Sequence, residues 1–494
     1  MRLFQRVLAC CAVVAAASLI LPVAPGVATA RVTTKTTLTA SASSAHQDTS
    51  VTFTARVTSA GHGTVTGRVS FTDSSNGSPL AIVKLSNGVA KLTTAALAPG
   101  TRKIIARYTG SSKFGTSASA ARRVTVAATS EAVAYQIDPA HDGRQAAGVL
   151  HTSSLHKKWS VTLGGKDSSG AAGAGDVSYP IIASGLVFVT VENASGHGSV
   201  LYALRAGTGA KAWSVHLPGT FGFSALAYGG RRLFALNDDG VLTEFVASTG
   251  QEVASGQLPG QSDFTAPPTV YDGVVYATGA GSGGTLYAIT MADGLGRWRA
   301  SVDNGDKSAP AVDSSGVYVS FAGQQDYRFS LSGKPRWHHN TGIEGGGGST
   351  AVLHGGDVYA RGAHDSPVIL AESTGRSVGS FASDTAPAFG GTSMFTLSGG
   401  HLVAVGVSGS PDRWTFGSGL VTAPVVSGGT VFVGGSNGTV YGVSATTGKR
   451  IWSGSAGSQI LGPDEQNADV LVGMAIGNGL LVAPAGRSLT AFGD

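Results

Sequence analysis

From about residue 179 to the C-terminus, short apolar runs alternate with glycine-rich turns at a recurring interval. The clearest copy is 421–453, VTAPVVSGGTVFVGGSNGTVYGVSATTGKRIWS. Its first apolar run, Ala423 to Val426, ends at Ser427-Gly428-Gly429, and its second, Val431 to Val433, ends at Ser436-Asn437-Gly438. Val440 to Val443 is a third run closed by Thr447-Gly448, and Ile451-Trp452 opens a fourth. Asn-Gly between two β-rich runs signals a hairpin, because both turn residues must take positive φ. Four strands in about 40 residues is the period of a propeller blade.

Tryptophan dates the repeats. Trp159, Trp213, Trp298, Trp337, Trp414 and Trp452 are all six in the chain. The gaps of 85 residues after Trp213 and 77 after Trp337 are double length. Each hides a degenerate unit: Gly250 and Gly375 end turns as Gly448 does, and four residues later stand Ala254 and Gly379 in place of Trp. The count is then eight, or seven if a Trp-less unit is not a blade of its own. The spans are approximately 179–217, 221–258, 264–302, 307–340, 348–382, 384–416, 420–456 and 460–494. Trp159 has no complete unit before it, and Val470 to Phe492 has no Trp strand after it. Leu155 to Leu163 is therefore expected to complete the last sheet and close a ring, since an open propeller exposes sheet edges. A Trp at one place in each sheet reads as packing between neighbouring blades rather than as a stack for a cofactor.

The blades resemble the PQQ-like (quinoprotein-type) β-propeller repeats. Leu201-Tyr202-Ala203-Leu204 followed by Thr208-Gly209 and Trp213 is similar to that family's tryptophan-docking pattern, as are Leu286 to Trp298 and Tyr441 to Trp452. Asp138-Pro139-Ala140-His141-Asp142-Gly143 resembles the lead-in of such propellers. The resemblance covers roughly 130–494. It implies the fold. Catalytic members stack the quinone between a Trp and a vicinal disulfide, with a carboxylate-held calcium and an Asp base. No Asp or Glu here aligns with those positions, so no catalytic, cofactor-binding or metal-binding residue is carried over.

The first hundred residues follow a different period. Ser50 to Val57 alternates strictly, and turns at Asn76-Gly77, Asn87-Gly88 and Pro99-Gly100 separate about seven strands, as in an Ig-type sandwich. The run TTLTAS to PGTRKIIARYTGSSKF resembles the bacterial Ig-like repeats of secreted and surface proteins, which act as spacers or adhesive units. The expected fold class is all-β: a signal peptide at 1–30, an Ig-like β-sandwich at 31–128 and an eight-bladed propeller at 129–494.

Composition sets the compartment. Arg2 and Arg6, the apolar run Val7 to Leu21 and Ala28-Thr29-Ala30 read as an n-region, a core and a cleavage site for export. Cys10 and Cys11 both lie in that signal, so the expected mature chain has no disulfide, thiolate nucleophile or thiolate ligand. No later segment is long and apolar enough to span a membrane. Charge divides by domain. Residues 31–128 hold twelve Lys and Arg against two Asp, net +10, whereas 129–494 are net −7. Such a module can hold anionic wall polymers, carry plain solvated charge, or dock onto the chain's own ring. Nucleic acid is disfavoured, because the basic residues are spread singly without interleaved aromatics.

Motifs that look chemical read as turns. Gly434 to Gly438 matches a nucleophile elbow and Gly279, Gly281 and Gly284 a dinucleotide loop, but both patterns require a following helix, and strands follow here. Asn237-Asp238-Asp239-Gly240 offers too few oxygens for calcium. His338 and His339 are adjacent on a strand and point to opposite faces. His141 and Asp142 read as a turn, His364-Asp365 lies in a loop without a nucleophile, and Lys166 to Asp176 reads as a loop.

The function expected from this is a secreted or wall-associated, monomeric, non-catalytic binding protein, using no cofactor and presenting its propeller to a protein or glycan of the envelope. The presenting loops would include Glu192 to Ser199, Asn237 to Gly240, Gly279 to Gly284, Gly323 to Asp326 and Asn340 to Gly348. The alternative is a PQQ- and calcium-dependent quinoprotein dehydrogenase.

Overall fold

The structure, a computed structural model, describes residues 31–60, 63–166, 172–290, 296–303, 305, 308–321, 323–342, 348–362, 367–409, 411–465 and 470–494. The expected export signal, with Cys10 and Cys11, lies outside the described residues, as do His364-Asp365 and most of 340–348. Among the described residues every regular element is a strand.

The N-terminal module packs two sheets face to face. Thr34–Ala40, Val51–Ser59 and Val89–Thr94 form one. Ser44–His46, Arg122–Ala127, Gly100–Tyr108, Arg68–Asp73 and Ser78–Lys84 form the other, with Ser117–Ala118 beside Gly100–Tyr108. The alternation seen in the sequence is the burial pattern: Val51, Phe53, Ala55 and Val57 point inward to meet Val69, Phe71, Ile104, Ala106 and Val124. Two short strands, Ser44–His46 and Ser117–Ala118, add to the seven expected, because two- and three-residue pairings leave no periodicity to read.

Downstream, the described residues form eight sheets, each built on four antiparallel strands and numbered here in chain order. The first spans 181–217, the second 224–257, the third 269–302, the fourth 311–339, the fifth 352–380, the sixth 388–416 and the seventh 425–455. The eighth consists of Ala475–Gly477, Leu480–Ala485 and Ser488–Gly493, with His156–Thr162 paired antiparallel on Ser488–Gly493. Lys166 to Asp176, read from sequence as a loop, instead contributes strands: Gly165–Lys166 pairs Ala172–Val177, which pairs Leu186–Asn193 in the first sheet. A backbone ladder needs no side-chain pattern, so this Gly/Ala stretch carried no strand signal.

One register recurs in all eight sheets. Trp213 lies opposite Ala203, Trp298 opposite Ala288, Trp337 opposite Arg328, Trp414 opposite Ala404, Trp452 opposite Gly442 and Trp159 opposite Ala491. Ala254 and Gly379 occupy the same place, opposite Glu244 and Ile369. Each indole N–H donates to a backbone carbonyl of the next sheet: Trp159 to Ala206 (2.7 Å), Trp213 to Ala247 (3.0 Å), Trp298 to Leu331 (3.1 Å), Trp337 to Glu372 (2.9 Å), Trp414 to Ala445 (3.1 Å) and Trp452 to Leu155 (2.9 Å). Five of the six rings, all but Trp452, lie against a turn glycine of the next sheet. A Cβ on Gly250 would stand 2.7 Å from Trp213, and φ there is +73°. Glycine is thus required twice over, for its backbone conformation and for the close approach.

Candidate functional site

The join between the two domains is not a plain linker. Residues 130–145 pass the inner strand of every sheet in turn. Asn478 N–H donates to Ser130 O, Ala132 and Ile182 exchange bonds, and Tyr228 N–H donates to Val133 O. His141 then meets Thr269, Val312 N–H donates to Pro139 O, Leu353 to Ala140 O, Phe389 to Asp142 O and Val426 to Gly143 O. Arg144–Gln145 runs parallel to Val425–Ser427, and Gln145 Nε2 donates to Ile476 O (2.9 Å), back at the eighth sheet. His141 and Asp142, read as a turn, are the fasteners of this belt. His141 is fully buried, with Nδ1 2.6 Å from Tyr135 O and Nε2 3.0 Å from Pro310 O, and burial lowers its pKa. Asp142 Oδ1 accepts from Arg144 N–H, and Oδ2 lies 3.2 Å from His354 Nδ1.

Glu465, in the connection between the seventh and eighth sheets, reaches across to residues flanking the fifth. Its Oε1 is 2.8 Å from Arg361 Nη2, and its Oε2 accepts from Thr350 N–H at 2.6 Å. Both side chains are buried, at 6% exposure for Arg361 and 8% for Glu465. Tyr135 of the belt faces this pair, and burial together with the Glu465 charge pushes its hydroxyl pKa well up. Sequence reasoning missed Glu465 and Arg361. Both sit in irregular connections, where no period marks an inward residue.

Four-stranded antiparallel sheets put the turns after strands one and three at one end, and those after strands two and four at the other. The Ig-like module covers the first end over the second and third sheets. Asp48 Oδ1 accepts from Gly230 N–H (2.9 Å), Arg231 Nε donates to Asp48 O (2.9 Å), and Arg102 bridges Asp73 and Asp272. The loops singled out from sequence, Glu192 to Ser199, Asn237 to Gly240, Gly279 to Gly284 and Gly323 to Asp326, all lie at the opposite end. They are turns built on side-chain caps. Asp238 accepts from Phe221 N–H (3.0 Å), Asp239 from Thr220 N–H (2.9 Å), and Asn237 Nδ2 donates to Pro218 O (2.7 Å). Gly434 to Gly438 and Gly279 to Gly284 lead into strands, not helices. His338 stacks on Tyr327 at 4.1 Å and bonds Gln325 Oε1 at 2.8 Å.

One acid breaks the pattern. Asp326 holds the ladder position that is Leu201, Leu286, Leu402, Val440 and Leu489 in other sheets. It is 2% exposed with no hydrogen bond of good geometry to either carboxylate oxygen, and burial pushes its pKa up to about 8 against a weak pull from the Ser320 hydroxyl on the paired strand. The unfolded value is 3.8, so the stability it contributes is fully present below about pH 4 and is lost as pH rises to about 8. Asp326→Leu should flatten that slope and raise stability at pH 8 by on the order of 1–4 kcal/mol in urea titrations, since deprotonation would no longer strand a charge. An unchanged slope would show that Asp326 finds a partner.

Comparison with known proteins follows this geometry. Residues 38–127 match the bacterial Ig-like domain (group 3), and residues 196–377 and 365–492 match a family described as outer membrane protein assembly factor BamB. No curated protein matches the sequence. Among solved structures, BamB from Moraxella catarrhalis aligns with a TM-score of 0.53 at 16% identity, covering 69% of this chain and 100% of that one. A quinohemoprotein alcohol dehydrogenase from Comamonas testosteroni aligns with 0.56 at 13%, covering 74% and 80%. A europium-containing methanol dehydrogenase aligns with 0.52 at 14%, covering 72% and 90%. At such identities the likeness is one of fold.

The residues present do not fit a quinone. All six Trp indoles already donate to a carbonyl of the neighbouring sheet, no cysteine lies among the described residues, and the buried Glu465 carboxylate is already held by Arg361 and Thr350. Among the described residues no group of three His, Cys, Asp or Glu is placed to hold a metal.

Proposed function

The chain belongs to the PQQ-like propeller family described as outer membrane protein assembly factor BamB, with an Ig-like domain ahead of it, and on that premise we propose an exported, non-catalytic binding protein. Its eight sheets form an eight-bladed ring sealed where His156–Thr162 meets Ser488–Gly493. The Ig-like module caps one face, and the other face docks a protein or glycan of the cell envelope. The observation that carries this reading is the hub itself, filled by the chain's own belt from one side and by the Glu465–Arg361 pair from the other. A filled hub leaves loop ends, rather than a central pocket, as the working surface, and docking of other proteins accords with the family's description.

The basic module supports an envelope location. Of its twelve Lys and Arg, Arg102 is spent on the ring and Lys103 is half-buried; the other ten are exposed. They can hold anionic wall polymer while the ring's far face stays free. Full-length protein should sediment with isolated cell walls and release as salt rises, because charges separated by more than about 10 Å are screened at 0.1 M salt. Retention at high salt would count against the charge argument. Dye reduction with alcohols or sugars after addition of PQQ and calcium would overturn the non-catalytic reading.

A further inference from the structure

Two of the eight sheets lack the tryptophan that wedges each blade against the next, and the two junctions differ. At Gly379, between the fifth and sixth sheets, the neighbours have closed in. A Cβ there would stand 3.2 Å from Ser408 O and 3.3 Å from Ile369 Cδ1, and Tyr359 bonds Val407 O across the junction at 2.8 Å. At Ala254, between the second and third sheets, a cavity of about 400 Å³ remains. We propose that this cavity binds a planar aryl ligand the size of an indole ring.

The chain itself displays what fits. Trp159 packs on Tyr202, Leu204 and Ala206 of its neighbour, and Trp298 on Tyr327, Phe329 and Leu331. By the shared register, Tyr287 and Ile289 of the third sheet are the counterparts of Tyr202 and Leu204, and both line the cavity. Ala254 supplies the wall from which an indole would otherwise project, with Phe234 and Leu242 behind it. The walls are mostly apolar, and the strand that carries Ala254 is exposed, so the site is a cleft open on one side through which a guest can enter; an apolar space of about 150 Å³ suffices for benzene. Glu244, 9% exposed and ion-paired with Arg232 at 3.0 Å, is the acid in the lining and favours a ring bearing an N–H donor over a plain hydrocarbon. The opposite-strand residue tolerates size, because Arg328 already lies opposite Trp337.

The test uses the full chain with indole, titrated by calorimetry and by ligand-observed NMR. Indole should bind with a dissociation constant on the order of 1 mM, and cyclohexane-sized aliphatic alcohols at least tenfold more weakly. Ala254→Trp should fill the site, abolish indole binding and raise the melting temperature, whereas Gly379→Trp, with no room, should lower it. Ala254→Leu, a smaller graft, should weaken binding if the Trp variant does not fold. A short Gly/Ser peptide with one central Trp separates the sources: tighter binding than indole assigns the site to a partner's side chain, and weaker binding assigns it to a free small molecule. No binding to the native chain up to the solubility limit of indole, or equal binding to Ala254→Trp, overturns the proposal.

Discussion

Arg102→Ala should unlatch the Ig-like module from the propeller domain. Arg102 reaches Asp73 of its own module at 2.6 Å and Asp272 of the third sheet at 3.1 Å, and neither carboxylate has any exposure. Asp272 also accepts from Asn76 Nδ2 (3.1 Å) and Ala98 N–H (3.3 Å), so one buried acid ties down three points of the module. Without the guanidinium, two carboxylates share a dry interface with no cation. Removing one partner of a buried pair costs roughly 3–5 kcal/mol, because the remaining charge is stranded. Limited proteolysis should then cut near 127–130, ahead of the belt, and small-angle scattering should show an extended particle. A variant with the native proteolysis pattern and radius would show that the rest of the interface suffices.

The deficit should grow with pH. Burial raises the Asp272 pKa and Arg102 opposes the rise, so losing Arg102 lets the acid protonate more easily and softens the damage under acidic conditions. Asp48, on the same interface, is pushed up to about 7 by burial and by Glu131 beside it. Its folded value exceeds its unfolded value of 3.8, so its contribution to docking is present in acid and is lost as pH rises through about 7.

Deleting 488–494 should cost the ring its cooperative unfolding. That strand lies between Leu480–Ala485 and His156–Thr162, and Leu489, Ala491 and Phe492 are buried on it. Its loss strips Trp159 of the sheet that aims its indole at Ala206, so the penalty should be at least that of a core Trp→Ala change, roughly 3–5 kcal/mol. It also bares two sheet edges, so the truncated chain should aggregate. A sharp melt at the native temperature, with monomeric sedimentation, would refute the end-to-end seal.

The repeating unit was legible in the sequence because it is local. The turn at Asn437-Gly438 forms where expected, although Gly438 takes positive φ (+79°) and Asn437 does not, its side chain accepting from Thr439 N–H instead; Gly448 takes φ +69°. The six Trp and their two gaps located every sheet, and Ala254 and Gly379 stand at the register the spacing assigned them. The circuit of 130–145 was not legible, since it is made by backbone groups pairing with strands up to about 350 residues away. Glu465 meeting Arg361, and Arg102 meeting Asp272, were equally hidden, for a charge carries no mark of its distant partner. The difference between the two Trp-less junctions was hidden as well. A missing side chain reads the same in both, and only the packing of the neighbouring sheets decides whether the gap collapses or stays open. Local turn chemistry and side-chain period thus fix the units from the chain alone. How those units pack on one another, and where the Ig-like module docks, follow from contacts between residues far apart in sequence.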